Sequence, residues 1–291
     1  SIWVFLVSVV LCFIIFGNGI SGEFVFDDVT VVQNRGDIIN PGNFFNLFIS
    51  PYHQNMPQTG LYRPFTMATY YLNHNIFDSS PAGFHVVNII IHALNSFLVF
   101  WLVLWFLKSR SAAYIALLLF LLHPIHAEAV TSIVGRAELL AFFWSLTTIY
   151  LLSKNNKILA SIAFLFAPMS KEVALMVLPI VFYINIFFLG KNWRREIINN
   201  LFFAFPLVLY SVLRYLALSK YFAIESGTTM VSNVLKFVSV PERIFTALKV
   251  LVLYAEKLIW PVHLSADYSY NAIPVVRNIF TSLPAITGFL M

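Results

Sequence analysis

Charge is scarce in this sequence: 11% of its 291 residues are Asp, Glu, Lys or Arg, against about 25% in soluble domains. That scarcity excludes an ordinary soluble domain. Cysteine is nearly absent, and Cys12 alone allows no intrachain disulfide. Basic runs and RNA-binding motifs are missing, so the net charge of +5 does not point to nucleic acid. No P-loop, Rossmann glycine pattern, GxSxG elbow, HExxH or selectivity-filter sequence occurs, which disfavours a cytosolic nucleotide enzyme. No tandem helical repeat of about 34 residues is visible either. What the sequence does contain is 59% hydrophobic residues, in apolar runs that recur along almost its whole length. Each run is of a size to cross a hydrocarbon core about 30 Å thick, where only helices or closed barrels satisfy the backbone. Continuous runs such as 86–107 choose helix. The class expected is an all-α, polytopic membrane bundle.

The chain starts and stops inside apolar runs, from which a piece of a longer protein is expected, truncated at the C-terminal end and at the N-terminus. Residues 1–16 read as a first membrane helix, because no small-x-small cleavage site follows. A polar segment from Gly17 to Gly83 comes next, rich in Gly, Pro, Asn and Asp. A loop of that length in a compact protein is usually functional. Short interfacial helices are expected in it, such as Pro64 to Phe77 with its Tyr and Phe residues. Further crossings are expected at 86–107, 111–122, 139–152, 158–167, 173–189 and 197–216.

Lys108 with Arg110, Lys154 with Lys157, and Lys191 with Arg194 and Arg195 mark three short loops as cytoplasmic. The segments 17–83, 123–138 and 169–172 then share the opposite face. A run at 244–259 carries Lys249, Glu256 and Lys257, and a partly interfacial helix is expected there, leaving Asp267 outside as well.

Ionisable residues on that outer face are the candidates for chemistry. Asp27 and Asp28 are adjacent acids about ten residues beyond the first helix. Mutual repulsion can raise one pKa and make a base, or both can hold a cation, or they form a solvated turn. His85, Asn88, His92 and Asn95 are spaced three, four and three, placing them within an arc of roughly 80° on one helix. Such a stripe can hydrogen-bond a neighbouring helix; His85, at the outer mouth, is the site candidate. His123, His126 and Glu128 are ligand types for zinc or manganese, but Pro124 breaks the helix between the histidines and the spacing matches no standard metal motif. Hydrogen bonding to substrate hydroxyls is the other role open to them. Arg63, Arg136 and Lys171 are cations suited to a phosphate. Each also has an acid at hand, Arg136 with Glu138 and Lys171 with Glu172.

The combination FVFDD, LYRPFT, FHVVNIIIH, HPIHAEAVTSIVGRAELLA and SKE resembles the transmembrane and tetratricopeptide-repeat O-mannosyltransferases and their prokaryotic relatives, of the GT-C glycosyltransferase class. LSADYSYNAIP is similar to a later motif of that family. The resemblance implies a GT-C bundle that takes a sugar, mannose in the family, from a polyprenyl-phosphate carrier. Transfer would reach a protein or glycan acceptor on the non-cytoplasmic face of a bacterial or archaeal membrane or of the endoplasmic reticulum. It implies that an acidic residue of the first outer loop is the base, here Asp27 or Asp28. Arg63, Arg136 or Lys171 would stabilise the departing phosphate, with His85, His123, His126, Glu128 and Asp267 as further substrate contacts. No cofactor is then required, and a divalent metal is optional. Single displacement would invert the anomeric carbon. A transporter or lipid flippase is the rival from another class, but it expects ionisable groups through the bilayer depth, whereas these gather at one face. A non-catalytic membrane scaffold is the third reading.

Overall fold

The computed structural model describes residues 2–39, 41–222, 233–265, 268 and 272–290. Among them the protein is all-α, without strands. It divides into two compact units: one takes the chain to Leu122 and the stretch that resumes at Ala129, the other takes His123–Glu128 and the C-terminal helices.

The first unit holds α1 (Ile2–Phe16), α2 (Pro64–Phe77), α3 (Pro81–Leu107), α4 (Arg110–Leu122), α5 (Arg136–Ser153), α6 (Lys157–Ser170), α7 (Val177–Tyr183), α8 (Trp193–Asn199) and α9 (Ala204–Leu218). Among the described residues three stretches are long and apolar enough to cross a membrane, Ile2–Ser21, Pro81–Leu107 and Trp193–Tyr221. The segments 157–170 and 172–188 are shorter apolar helices. In the second unit α10 (Val240–Ile259) packs on α11 (Leu283–Leu290).

Proline at the first turn starts both α2 and α3, where its missing N–H costs nothing. The polar stripe of α3 is buried throughout, at His85, Asn88, His92, Asn95 and Ser96. Asn88 Nδ2 donates to Ser132 O at 2.9 Å, and Asn95 Nδ2 donates to Leu139 O at 2.9 Å. Positions seven apart on one segment meet positions seven apart on the other, so α3 and α5 run parallel. The stripe therefore acts as interhelical glue, at roughly 0.6 kcal/mol per bond.

The helix expected at Pro64–Phe77 forms with those bounds, but it is not laid wholly on a lipid surface. Thr66, Met67, Tyr70, Tyr71 and Asn73 are buried, while Leu72 and Ile76 face outward. Burial follows from the loop before it. Val31, Val32, Ile38, Leu47 and Tyr52 pack on Met67, Tyr70 and Phe84 as one apolar cluster. A buried ion pair staples that loop: Arg35 holds Asp37 through two nitrogens at 2.6 and 3.1 Å and donates to the carbonyls of Pro51 and Tyr52. The long polar segment is thus a folded cap, mostly of short 3-10 and π turns, on the ends of α2 and α3.

Candidate functional site

Two layers meet beneath this cap, one sealed and one open. The sealed layer is built on the loop 132–136, just before α5. A Cβ on Gly135 would lie 2.4 Å from Ala129 O, so only glycine allows the chain to fold back this closely. The turn drives Arg136 inward, where it is fully buried. Its Nε donates to Asn88 Oδ1 at 2.8 Å, and Nη2 donates to Asn73 Oδ1 and Phe84 O, both at 2.9 Å. The guanidinium also lies over the rings of Tyr70 and Phe84, 4.8 and 5.4 Å from their centroids. Arg136 therefore joins α2, α3 and α5 and has no surface left for a phosphate, against its expected role as a donor-phosphate contact.

Asp28 belongs to the same layer, 1% exposed. Its Oδ1 accepts from Val134 N at 2.8 Å and its Oδ2 from Val25 N at 3.3 Å, so it clamps the first loop to the 132–136 loop. Burial raises its pKa, and the two N–H groups and nearby His85 only partly offset that. His85 is 4% exposed, with Gly22 and Thr131 as its nearest backbone polar groups. Because the folded carboxyl holds its proton more tightly than the unfolded one, Asp28 makes stability fall as pH rises from the unfolded carboxylate value through the raised folded one. Asp28→Asn should remove that slope: the stability gap between wild type and variant is expected to shift in favour of wild type on going from neutral to acid pH. Chemical denaturation in detergent at several pH values checks it, and a gap independent of pH would show that the carboxyl is not desolvated.

The open layer is formed by residues that reach the surface. Asp27, unlike its neighbour, is exposed. Its charge acts on Tyr52 and His53, whose rings meet edge to face at 4.9 Å. Arg63 lies over the Tyr52 ring, 4.7 Å from the centroid, and its Nε donates to Glu172 Oε2 at 3.2 Å. Glu172 Oε1 also accepts from Tyr62 N at 3.0 Å. Lys171 pairs with Glu138. Burial pushes the Tyr52 phenol up to about 12, with Arg63 pulling it back, and burial lowers the pKa of His53 against the opposing influence of Asp27.

The pairs Arg136–Glu138 and Lys171–Glu172, the alternative open to these cations, do not form: Glu138 goes to Lys171 and Glu172 to Arg63, while Arg136 bonds amide and carbonyl oxygens. Residues two apart on a helix do not face each other, so Arg136 turns inward while Glu138 stays at the surface. Lys171 is extended at φ −156° and ψ 137°, and Glu172 opens a 3-10 turn, so their side chains diverge. Tyr52 and His53 were missed by sequence reasoning. Their one signal was a Tyr-His pair in the polar loop, with no spacing that ties it to Asp27.

His123, His126 and Glu128 lie in the second compact unit. Ile125 N donates to His123 Nδ1 at 3.2 Å, so Nε2 carries the proton and donates to Leu258 O at 3.0 Å. His123 thereby fastens its turn to the end of α10. The rings of His123 and His126 are 6.1 Å apart, and Glu128 is exposed. No group of three or more His, Cys, Asp or Glu suited to a metal occurs among the described residues. Asp267 lies outside the described residues.

The candidate site thus comprises a folded cap, a sealed arginine hub, an exposed acid and two partly buried cations. The chain is 29% identical over 289 residues to the protein O-mannosyl-transferase F38B6.6 of Caenorhabditis elegans, covering 94% of this chain and 40% of that protein. The chain is thus similar to a protein O-mannosyl-transferase over nearly its whole length. Human TMTC1 matches at 37% identity over 132 residues, 43% of this chain and 15% of its own length. Human TMTC3 matches at 37% over 145 residues, 47% of this chain and 16% of its own length. The matches thus span well under two thirds of each of these relatives. No family model and no solved structure matches.

Proposed function

We propose that this chain is the membrane part of a glycosyltransferase that moves mannose from a polyprenyl-phosphate carrier to a hydroxyl of a protein acceptor on the non-cytoplasmic face. The names of the relatives support transfer of mannose to protein. The observation that carries the residue assignment is the contrast within the acidic pair: Asp27 is exposed with its charge felt at Tyr52 and His53, while Asp28 is spent on backbone N–H groups.

Asp27 takes the proton of the acceptor hydroxyl as that oxygen attacks the anomeric carbon. The bond from that carbon to the phosphate oxygen breaks, and the polyprenyl phosphate leaves with the electron pair. Arg63 and Lys171 are the cations placed to receive the leaving group, by exchanging Glu172 and Glu138 for phosphate oxygens. Their acids hold them in position while no phosphate is there. Arg136 and Asp28 keep the loop beneath in place, and His85 belongs with them rather than with the substrate.

A full-length version in detergent, given polyprenyl-phosphate mannose and a Ser/Thr peptide, is expected to yield product with the anomeric configuration opposite to the donor's. Retained configuration, read by linkage-specific mannosidase digestion, would overturn single displacement. Transfer from a nucleotide sugar with no lipid carrier present would overturn the donor.

A further inference from the structure

At the other end of α3 lies a cavity of about 300 Å³ that plays no part in this chemistry. It opens between the C-terminal ends of α3 and α5, walled by Trp101, Trp105 and Tyr150 and rimmed by Lys108 and Lys154. The parallel register of the two helices brings both ends to the same level. Along α3 the cavity begins about 24 Å from His85, at about 1.5 Å per residue, and ends about 35 Å from it.

Lys108 Nζ sits 5.9 Å from the centroid of Trp105 and Lys154 Nζ 5.7 Å from that of Tyr150. Neither lysine is in an ion pair among the described residues. The primary structure gives them no acid to meet, since no Asp or Glu occurs between Asp78 and Glu128 or between Glu138 and Glu172. Helix ends do not supply the missing negative charge. Each C-terminus is followed within a few residues by the N-terminus of α4 or α6, at Arg110 and Lys157, so the partial charges cancel in pairs. Lys108 also occupies a left-handed position, φ 54°, that caps α3 through its N–H to Leu104 O. Glycine is the low-cost residue there, and a cation is present instead. Deeper along α3, Trp101 and Leu104 continue the wall with apolar surface.

We propose that this cavity binds the phosphate headgroup of an anionic membrane lipid, with the lysines on the phosphate and the acyl chains along Trp101 and Leu104. A phosphomonoester lipid, with its higher charge, fits best. Aromatic side chains at headgroup depth suit the same placement.

Trp101 and Trp105 supply the readout. The protein in phosphatidylcholine nanodiscs is titrated with brominated phosphatidic acid, which quenches tryptophan on contact, or with brominated phosphatidylcholine. Wild type is expected to reach half-quenching at a phosphatidic acid fraction about thirtyfold lower than for phosphatidylcholine, as two lysines near a headgroup would give. K108Q/K154Q should erase that preference, K108R/K154R should keep it, and K191Q/R194Q, which removes equal charge elsewhere, should keep it too. Equal quenching of wild type by both lipids would overturn the proposal without any variant. A loss in K191Q/R194Q as large as in K108Q/K154Q would replace the site by diffuse surface charge. Reversal of quenching by millimolar inorganic phosphate would make soluble phosphate, not lipid, the ligand.

Discussion

Asp27→Asn is expected to lower mannose transfer by about 100-fold or more, the usual contribution of a positioned general base, with no loss of folded protein. An exposed carboxylate that bonds no buried group has little to do with stability, so the variant should unfold at the wild-type midpoint. Asp28→Asn should do the reverse. It keeps one oxygen for Val134 N–H and should leave transfer within about tenfold, since it holds a loop rather than a proton in flight. Asp28→Ala, which orphans that N–H, should cost about 1–3 kcal/mol. Rates from the detergent assay and unfolding midpoints on the same preparations separate the two. Full activity in Asp27→Asn would remove the proposed base. An Asp28→Asn enzyme that folds normally but is dead would move the role to the buried acid.

The second large effect falls on Arg136→Met, expected to destabilise the protein by about 3–5 kcal/mol. Asn88 Oδ1, Asn73 Oδ1 and Phe84 O lose their donor in a place water does not reach, and Thr69 O loses a longer bond from Nη1. Arg136→Lys should rescue little, because an ammonium cannot reproduce a planar fork spread over four acceptors and lying over the rings of Tyr70 and Phe84. Thermal unfolding of purified protein gives the measurement. A midpoint within the range of ordinary surface substitutions would mean that the hub is not structural, and would return Arg136 to the candidates for phosphate binding.

Much of the architecture was legible before any contact was known. Low charge and recurrent apolar runs required a helical membrane protein, and the helix at Pro64–Phe77 was expected from its interface-suited Tyr and Phe residues. The three, four, three spacing of His85, Asn88, His92 and Asn95 correctly announced one polar face. Their use as glue to the 132–139 segment was one of the roles that spacing left open.

The candidate site was legible only as a set of residue types. Primary structure determined that two acids stand next to each other in the first polar loop and that Arg63, Arg136 and Lys171 are available to answer a phosphate. It could not rank them, because adjacent positions share a neighbourhood but not a direction. Tertiary structure decided which acid is sealed: Val134, more than 100 residues along, supplies the N–H that turns Asp28 inward and leaves Asp27 outside. It likewise buried Arg136 through the close turn at Gly135, and it paired Arg63 with Glu172 across 109 positions. Hydrophobic pattern and helix period act over a few residues and are written in the chain directly. The orientation of a charged side chain is set by whichever distant backbone groups need a partner, and that need exists only once the chain has folded.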